Sequence, residues 1–144
     1  MAKTVMAFGS FDILHPGHLL YLRRARALGS RLIVVVARDE SIMMFKKKKP
    51  VFNERDRLDM IKSLRIVDEA VLGNRLKGEA GRLRIIRKYK PNVIAFGYDQ
   101  KIDPVAVEKW LRKNDLEVKV VRIKVSANPR QYKSSAISRR ILRL

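Results

Sequence analysis

Short apolar runs alternate along the chain with amphipathic segments of helical length. The apolar runs predict five strands: Thr4 to Phe8, Arg31 to Val36, Glu69 to Leu72, Val93 to Phe96 and Glu117 to Ile123. The continuous β-branched run at 31–36 is typical of a strand buried on both faces of a parallel sheet. Helices between such strands indicate βαβ units. We therefore predict an α/β fold with one Rossmann-like, open, parallel five-stranded sheet flanked by helices.

The segments between the strands predict the helices. The first begins near Pro16 and continues through residues 19–28, and Gly29 follows where a left-handed C-terminal cap is expected. Four more are predicted: Val51 to Leu64 with Asn53 as cap, Leu76 to Tyr89, Pro104 to Asn114 with Asp103 as cap, and a short one from near Ser134.

The length and composition limit the class of protein. The 144 residues are enough for one domain, so we expect a single domain over residues 1–144. No apolar stretch approaches the length of a membrane span, and the N-terminus does not resemble a signal peptide. Because there is no cysteine, disulfides and thiolate chemistry are excluded. We expect a cytoplasmic protein that does not associate with membranes.

The net charge indicates anionic partners. Thirty-three Lys and Arg against fourteen acidic residues give a formal charge of +19. Nucleic acid is one such partner. The basic residues are spread over the whole length, however, and no zinc-finger spacing or RNP-like aromatic pair is present, so nucleic acid is not favoured. The charge-rich surface of a heat-adapted protein explains much of the excess equally well.

A strand-to-helix turn at residues 9–18 carries the only two histidines of the chain. Gly9 allows a tight turn, and Pro16 suits the first position of a helix. His15 and His18 are three residues apart, so they share one side of the first turn, where backbone N–H groups and the positive end of the helix dipole also lie. A simple helix cap is the alternative, but the pattern favours a phosphate site.

The same residues resemble a known signature. Gly9-Ser10-Phe11-Asp12 followed by His15-Pro16-Gly17-His18 is similar to the motif of the HxGH nucleotidyltransferase superfamily, in its cytidylyltransferase-like branch. This resemblance implies transfer of a nucleotidyl group from a nucleoside triphosphate to a phosphate ester, with pyrophosphate released. It implies catalytic roles for His15 and His18, and nucleotide binding by the other six residues of the motif.

Two further segments extend the resemblance on the first half of the chain. Lys46-Lys47-Lys48-Lys49-Pro50 resembles a Lys-Gly-Lys-Lys-Pro loop whose lysines reach the triphosphate, with Lys47 in place of the glycine. This implies a catalytic role for Lys46, although a lysine run can also be merely solvated. Arg57 matches a nucleotide-binding arginine of the family that faces the site, and an exposed helix arginine is the alternative.

Two segments after the fourth and fifth strands complete the resemblance. Gly97-Tyr98-Asp99-Gln100 resembles the Gly-x-Asp-Gln of archaeal FAD synthetases and implies nucleotide binding by Asp99. The stretch from Tyr132 to Ser138 resembles the motif at the start of the C-terminal helix in the superfamily. It implies nucleotide binding by Tyr132, Ser134 and Ser135, with helix capping as the alternative. Lys133 and Ala136 depart from the arginine and glycine of cytidylyltransferases.

The resemblance spans nearly the whole chain and is closest to archaeal FAD synthetase, which implies transfer of AMP from ATP to FMN. It further implies Mg²⁺ bound through substrate phosphates and a homodimer. Glycerol-3-phosphate cytidylyltransferase, using CTP, is the first alternative, and a non-catalytic nucleic-acid-binding module is the second. An apolar platform for the isoalloxazine ring, or simply core packing, is predicted for Met43, Met44, Phe45, Phe96 and Trp110.

Overall fold

The computed structural model describes residues 2–75, 78–124 and 134–144. Its elements in chain order are β1 (Thr4–Gly9), α1 (Pro16–Arg26), β2 (Arg31–Val36), α2 (Asp39–Lys46), α3 (Glu54–Lys62), β3 (Glu69–Leu72), α4 (Gly78–Tyr89), β4 (Val93–Phe96), α5 (Pro104–Lys113), β5 (Lys119–Arg122) and α6 (Ser134–Leu142). In these ranges, every helix is too short or too polar to cross a bilayer.

The five strands form one parallel sheet in the order β3-β2-β1-β4-β5. This confirms the predicted α/β fold. The strands β2, β3 and β4 begin and end at the predicted residues, β1 extends one residue further to Gly9, and β5 is shorter than predicted. The order reverses beside β1, so the carboxyl ends of β1 and β4 flank the crevice in which such sheets bind ligands.

The core lies in two layers, one on each face of the sheet. Alternate residues of β2 divide between them, with Val34 in one apolar cluster and Ile33 in the other. The first layer packs Leu22 of α1 and Ile61 of α3 against the sheet, and the second packs side chains of α4 and α5. The sheet is therefore buried on both faces, as the β-branched pattern predicts.

Several helix boundaries and one whole helix differ from prediction. Asn53 and Asp103 cap α3 and α5 as predicted, but α3 covers fewer residues than the predicted 51–64. Residues 76–77, the predicted start of α4, lie outside the described residues. The helix α2 was not predicted at all. Its four apolar residues, Ile42 to Phe45, form one consecutive run without helical periodicity, and only Ile42 is buried.

Gly29 does not form the predicted left-handed cap. The cap of α1 is Ala27 in the right-handed region, and among the described glycines only Gly78 has a positive φ. Gly29 instead allows two backbone segments to approach closely. A Cβ at this position would lie 2.4 Å from the carbonyl oxygen of Lys3. A residue without a Cβ is therefore needed where the chain after α1 passes the backbone just before β1.

We expect Gly29→Ala to lower the free energy of unfolding by about 2 kcal/mol or more, because the obstructing atom is backbone and cannot rotate away. Gly73→Ala is the matched control, since its Cβ would meet the nearest atom at 3.6 Å. That control should change stability by no more than about 0.5 kcal/mol. Urea unfolding of both variants measures the difference, and equal stabilities would contradict the explanation.

Candidate active site

The two histidines cap α1 together. The Nδ1 atom of His15, the N-cap residue, accepts a hydrogen bond from the N–H of Gly17 at 3.1 Å. The Nδ1 atom of His18 accepts one from the N–H of His15 at 3.3 Å. The rings stack with their centroids 3.7 Å apart and an angle of 24° between their planes. The predicted placement on one side of the first turn is confirmed, and capping proves to be part of the arrangement rather than an alternative to it.

This capping fixes where the neutral imidazoles carry their protons. A nitrogen that accepts a hydrogen bond has no proton, so each neutral ring is protonated on Nε2. Both rings are thus held in the tautomer whose remaining N–H points away from the cap. The pair can therefore donate two hydrogen bonds from Nε2 without either ring being charged.

Burial keeps both rings neutral. Desolvation, with smaller contributions from His15 and the Lys46 charge, lowers the pKa of His18 to about 3. The pKa of His15 is also lowered by desolvation, against the opposing effect of the Asp99 carboxylate. A polyphosphate bound beside the rings would shift both pKa values upwards. At neutral pH the unliganded site therefore offers uncharged donors.

The turn before α1 is made at Phe11 rather than at Gly9. Phe11 has a φ of 52°, in the left-handed region, and its buried ring lies edge-on to the ring of His18 with centroids 5.3 Å apart. A Cβ on Gly9 would lie 2.7 Å from two atoms of the Phe11 ring. The reason predicted for Gly9, freedom to turn, was therefore wrong. Gly9 instead leaves room for the aromatic ring that lies against His18, since a Cβ there would force this ring to shift.

Asp12 ties this turn to the segment after the lysines. Its two carboxylate oxygens accept hydrogen bonds from the N–H groups of Val51 and Phe52, each at 2.8 Å. Nucleotide binding by Asp12 stays a prediction. The contact gives it a positioning role that the sequence did not reveal, because its partners lie about 40 residues away in the chain.

The lysine run is divided between a helix and a loop. Lys46 is the last residue of α2, and its charge acts on His18, which places it within electrostatic range of the histidine pair. Lys47 is the C-cap of α2, with φ 49° and ψ 31°. This is the left-handed conformation that glycine adopts most readily, so Lys47 takes the backbone geometry that suits a glycine at this position. Lys48 and Lys49 are exposed.

Arg57 is completely buried and binds four groups below the site. Its guanidinium donates to the carbonyl oxygens of Ser10 at 2.8 Å, Ala37 at 2.7 Å and Phe52 at 3.0 Å. It also forms an ion pair with Asp39 at 2.6 Å. The alternative of an exposed helix arginine is therefore wrong. The side chain joins the ends of β1 and β2 to the start of α3, and its contact with nucleotide stays a prediction.

The loop after β4 is held by two residues that sequence reasoning missed. The Gln100 side chain accepts from the N–H of Gly97 at 2.7 Å and donates to the carbonyl of Phe8 at 2.9 Å. The Arg122 guanidinium donates to four carbonyls of this loop, at Gly97, Tyr98, Gln100 and Ile102. Asp99 is exposed on the loop, close enough to His15 for its charge to raise that histidine's pKa. Asp99 therefore lies within electrostatic range of His15, and nucleotide binding by this residue stays a prediction.

The C-terminal motif is only partly described. Tyr132 and Lys133 lie outside the described residues, and Ser134 begins α6 as predicted. Ser135 is exposed in the first turn, and Ala136 is buried. The roles predicted for Tyr132, Ser134 and Ser135 therefore stay predictions.

The apolar residues considered for a ring platform fall into two groups. Phe96 is buried and stacks on Phe8, with centroids 5.9 Å apart, and Trp110 packs against the same core layer. These two are core, so the platform prediction is wrong for them. The other three, Met43, Met44 and Phe45, are exposed.

Comparison with known proteins defines the class. The family model described as cytidylyltransferase-like matches residues 6–140, so the chain belongs to this family. A solved structure with the same fold, that of the lipopolysaccharide core biosynthesis protein from Thermoplasma volcanium GSS1, is 41% identical with a TM-score of 0.79. That alignment covers 88% of this chain and 100% of the other.

Curated relatives narrow the class further. The FAD synthase of Aciduliprofundum boonei is 48% identical over 120 residues, covering 83% of this chain and 77% of the relative. The FAD synthase of Methanothermus fervidus is 44% identical over 135 residues, covering 92% and 86%. A third, from Methanothrix thermoacetophila, is 50% identical over 119 residues, covering 83% and 79%. These matches confirm the resemblance that the motifs predict.

We expect Arg57→Met to lower the free energy of unfolding by about 3 kcal/mol or more. The substitution leaves a carboxylate and three carbonyl groups without the donor that they share. Arg55→Met, at an exposed position of the same helix, is the control and should cost about 0.5 kcal/mol or less. Chemical unfolding compares the two, and similar losses would refute the role given to Arg57.

The lowered pKa of His18 makes stability depend on pH. Between pH 6.5 and about 3 the unfolded chain binds a proton at this residue that the folded chain does not, so stability falls as the pH falls through this range. We expect a weaker pH dependence in His18→Asn, measured by urea unfolding between pH 7.5 and pH 4. An NMR titration of the wild-type protein in which this imidazole titrates near 6.5 would show the burial argument to be incorrect.

Proposed function

We propose that the protein is an FAD synthase that transfers AMP from ATP to FMN and releases pyrophosphate. The observation that carries the proposal is the stacked pair of imidazoles at the start of α1, both fixed with Nε2–H as donor. Two such donors beside a helix N-terminus suit the charge that develops on a phosphate under attack. The family and the names of the curated relatives supply the choice of nucleotide and acceptor.

The reaction requires positioning and charge stabilisation rather than a general base. The second pKa of a phosphate monoester is about 6, so the FMN phosphate is already a nucleophilic dianion at neutral pH. One of its oxygens attacks the α-phosphorus of ATP in line, and the bond from that phosphorus to the pyrophosphate oxygen breaks. His15 and His18 donate hydrogen bonds to the α-phosphate oxygens, and Lys46 offsets the charge of the leaving pyrophosphate. Each donor contributes about 3 kcal/mol to the transition state.

Residues around the pair bind the nucleotide in this proposal. The Gly9 to Asp12 turn, with Pro16 and Gly17, surrounds the phosphates, while Asp99 orients a ribose hydroxyl or an exocyclic amine. The remaining nucleotide-binding residues of the proposal are Arg57, Tyr132, Ser134 and Ser135. The buried hydrogen bonds of Arg57 and the backbone contacts of Asp12 support a role in which these two residues hold the neighbouring backbone segments in place.

A divalent metal, Mg²⁺ in this proposal, is bound through the phosphates of the substrate. Among the described residues, no three His, Asp or Glu side chains lie together, so these residues form no cage for the ion by themselves. In this proposal the protein acts as a homodimer, as the resemblance implies, and in the cytoplasm, as its composition predicts.

The substrate choice is tested by an endpoint assay. We expect FAD and pyrophosphate to form from FMN and ATP with Mg²⁺. With CTP, GTP or UTP in place of ATP, we expect neither pyrophosphate nor the corresponding flavin dinucleotide, as measured by chromatography. Turnover of CTP with glycerol 3-phosphate, and none of ATP with FMN, would reject the proposal in favour of the cytidylyltransferase alternative.

Replacing either histidine tests the mechanism. We expect His15→Asn and His18→Asn to lower kcat for FAD formation about a hundredfold or more, because each removes a donor aimed at the α-phosphate. Arg55→Met should keep wild-type kcat, since its side chain is exposed on α3. Full activity of both histidine variants would disprove the mechanism. Tight, strongly salt-dependent nucleic-acid binding that survives His→Ala replacement would favour the non-catalytic alternative.

A further inference from the structure

Two segments that are linked to the histidine pair expose apolar side chains. These side chains belong to three consecutive residues of α2 and two of the following loop, which we call the apolar shoulder: Met43, Met44, Phe45, Val51 and Phe52. Their exposed fractions are 47, 50, 69, 65 and 39%. Single exposed apolar residues are ordinary on a protein surface, but a group of five is not.

Two separate links connect the shoulder to the site. On the loop side, Asp12 binds the N–H groups of Val51 and Phe52 and lies three residues before His15. On the helix side, Met43 and Lys46 are three residues apart and therefore neighbours on the surface of α2. The charge of Lys46 in turn acts on His18. Both segments of the shoulder are thus linked to groups beside the histidines.

The arrangement of charge and apolar surface suits an amphiphilic ligand. Four consecutive lysines, at 46–49, lie between the helix part and the loop part of the shoulder. A ligand that matches this pattern has a phosphate dianion at one end and a flat aromatic system at the other. FMN has this form, with a ribityl chain between the phosphate and the three-ring isoalloxazine.

We propose that the apolar shoulder receives the isoalloxazine ring of FMN, with Phe45 and Phe52 as the residues that determine specificity for a flavin acceptor. The inference rests on the proposed function. The FMN phosphate lies at the histidines, where one of its oxygens attacks the α-phosphorus of ATP. The isoalloxazine ring extends from there across the lysine segment. Phenylalanine rings stack on the flavin, and the methionine sulfurs pack at its edge. The ring covers apolar surface that water otherwise contacts.

The test compares Phe45→Ala and Phe52→Ala with Leu28→Ala, an exposed apolar residue between α1 and β2, at the end of the sheet where these strands begin. Quenching of flavin fluorescence gives the Kd for FMN, and steady-state kinetics give KM for FMN, KM for ATP and kcat. We expect each phenylalanine variant to raise Kd and KM for FMN about tenfold, the loss of one aromatic contact. KM for ATP and kcat at saturating FMN should stay within about twofold of wild type, and Leu28→Ala should change nothing.

Further measurements distinguish a loss of FMN binding from a loss of folding, and FMN from other occupants of the shoulder. Phe45→Tyr keeps an aromatic ring at this position and should bind FMN as tightly as the wild type. Weak binding by Phe45→Ala is then due to the missing ring and not to a loss of folding. An unchanged Kd for FMN in both alanine variants overturns the proposal, while FAD synthesis by the wild type keeps the proposed function intact. A raised KM for ATP alone would assign the shoulder to adenine and also overturn it. Sedimentation showing that Phe45→Ala dissociates a dimer, with FMN binding unchanged, would assign the surface to a second copy. If wild type makes no FAD, the proposed function itself fails.

Discussion

The buried guanidinium of Arg57 is the interaction on which the site depends. A charge in the interior is costly unless it is paired and its donors are satisfied. Here three backbone carbonyls and the Asp39 carboxylate supply the acceptors, and these belong to segments far apart in the chain. By joining the end of β1, the end of β2 and the start of α3, one side chain sets the distance between the histidine turn and the lysine-bearing segment. Asp12 adds a second tie between the same regions.

The histidine pair shows how one set of hydrogen bonds serves both stability and chemistry. The Nδ1 atoms satisfy N–H groups at the start of α1, and the same contacts select the Nε2–H tautomer. Packing against the ring of Phe11 and against each other desolvates the rings, which keeps them uncharged in a strongly basic protein. The positive charge of the site therefore comes from the lysine segment and the helix dipole, while the imidazoles supply hydrogen-bond donors of fixed orientation.

Much of the fold and the centre of the site followed from local patterns. The apolar runs gave the limits of β2, β3 and β4, and β2 and β4 are almost completely buried, as such runs in a parallel sheet predict. The signature at residues 9–18 located the histidines, since residues three apart on a helix must be neighbours. Other features had no such signal. The helix α2 has a single buried residue, and the tie made by Gln100 joins atoms 92 positions apart.

The sequence by itself determined the parallel α/β fold, the start of α1 at Pro16 and the meeting of two imidazoles there, because each depends on spacing within a few residues. Only the tertiary structure decided why Gly9 and Gly29 are glycines and that Arg57 is buried. It also decided which apolar side chains remain outside the core. Close approach, burial and long-range hydrogen bonding depend on segments that meet only when the chain is folded, so no local pattern encodes them.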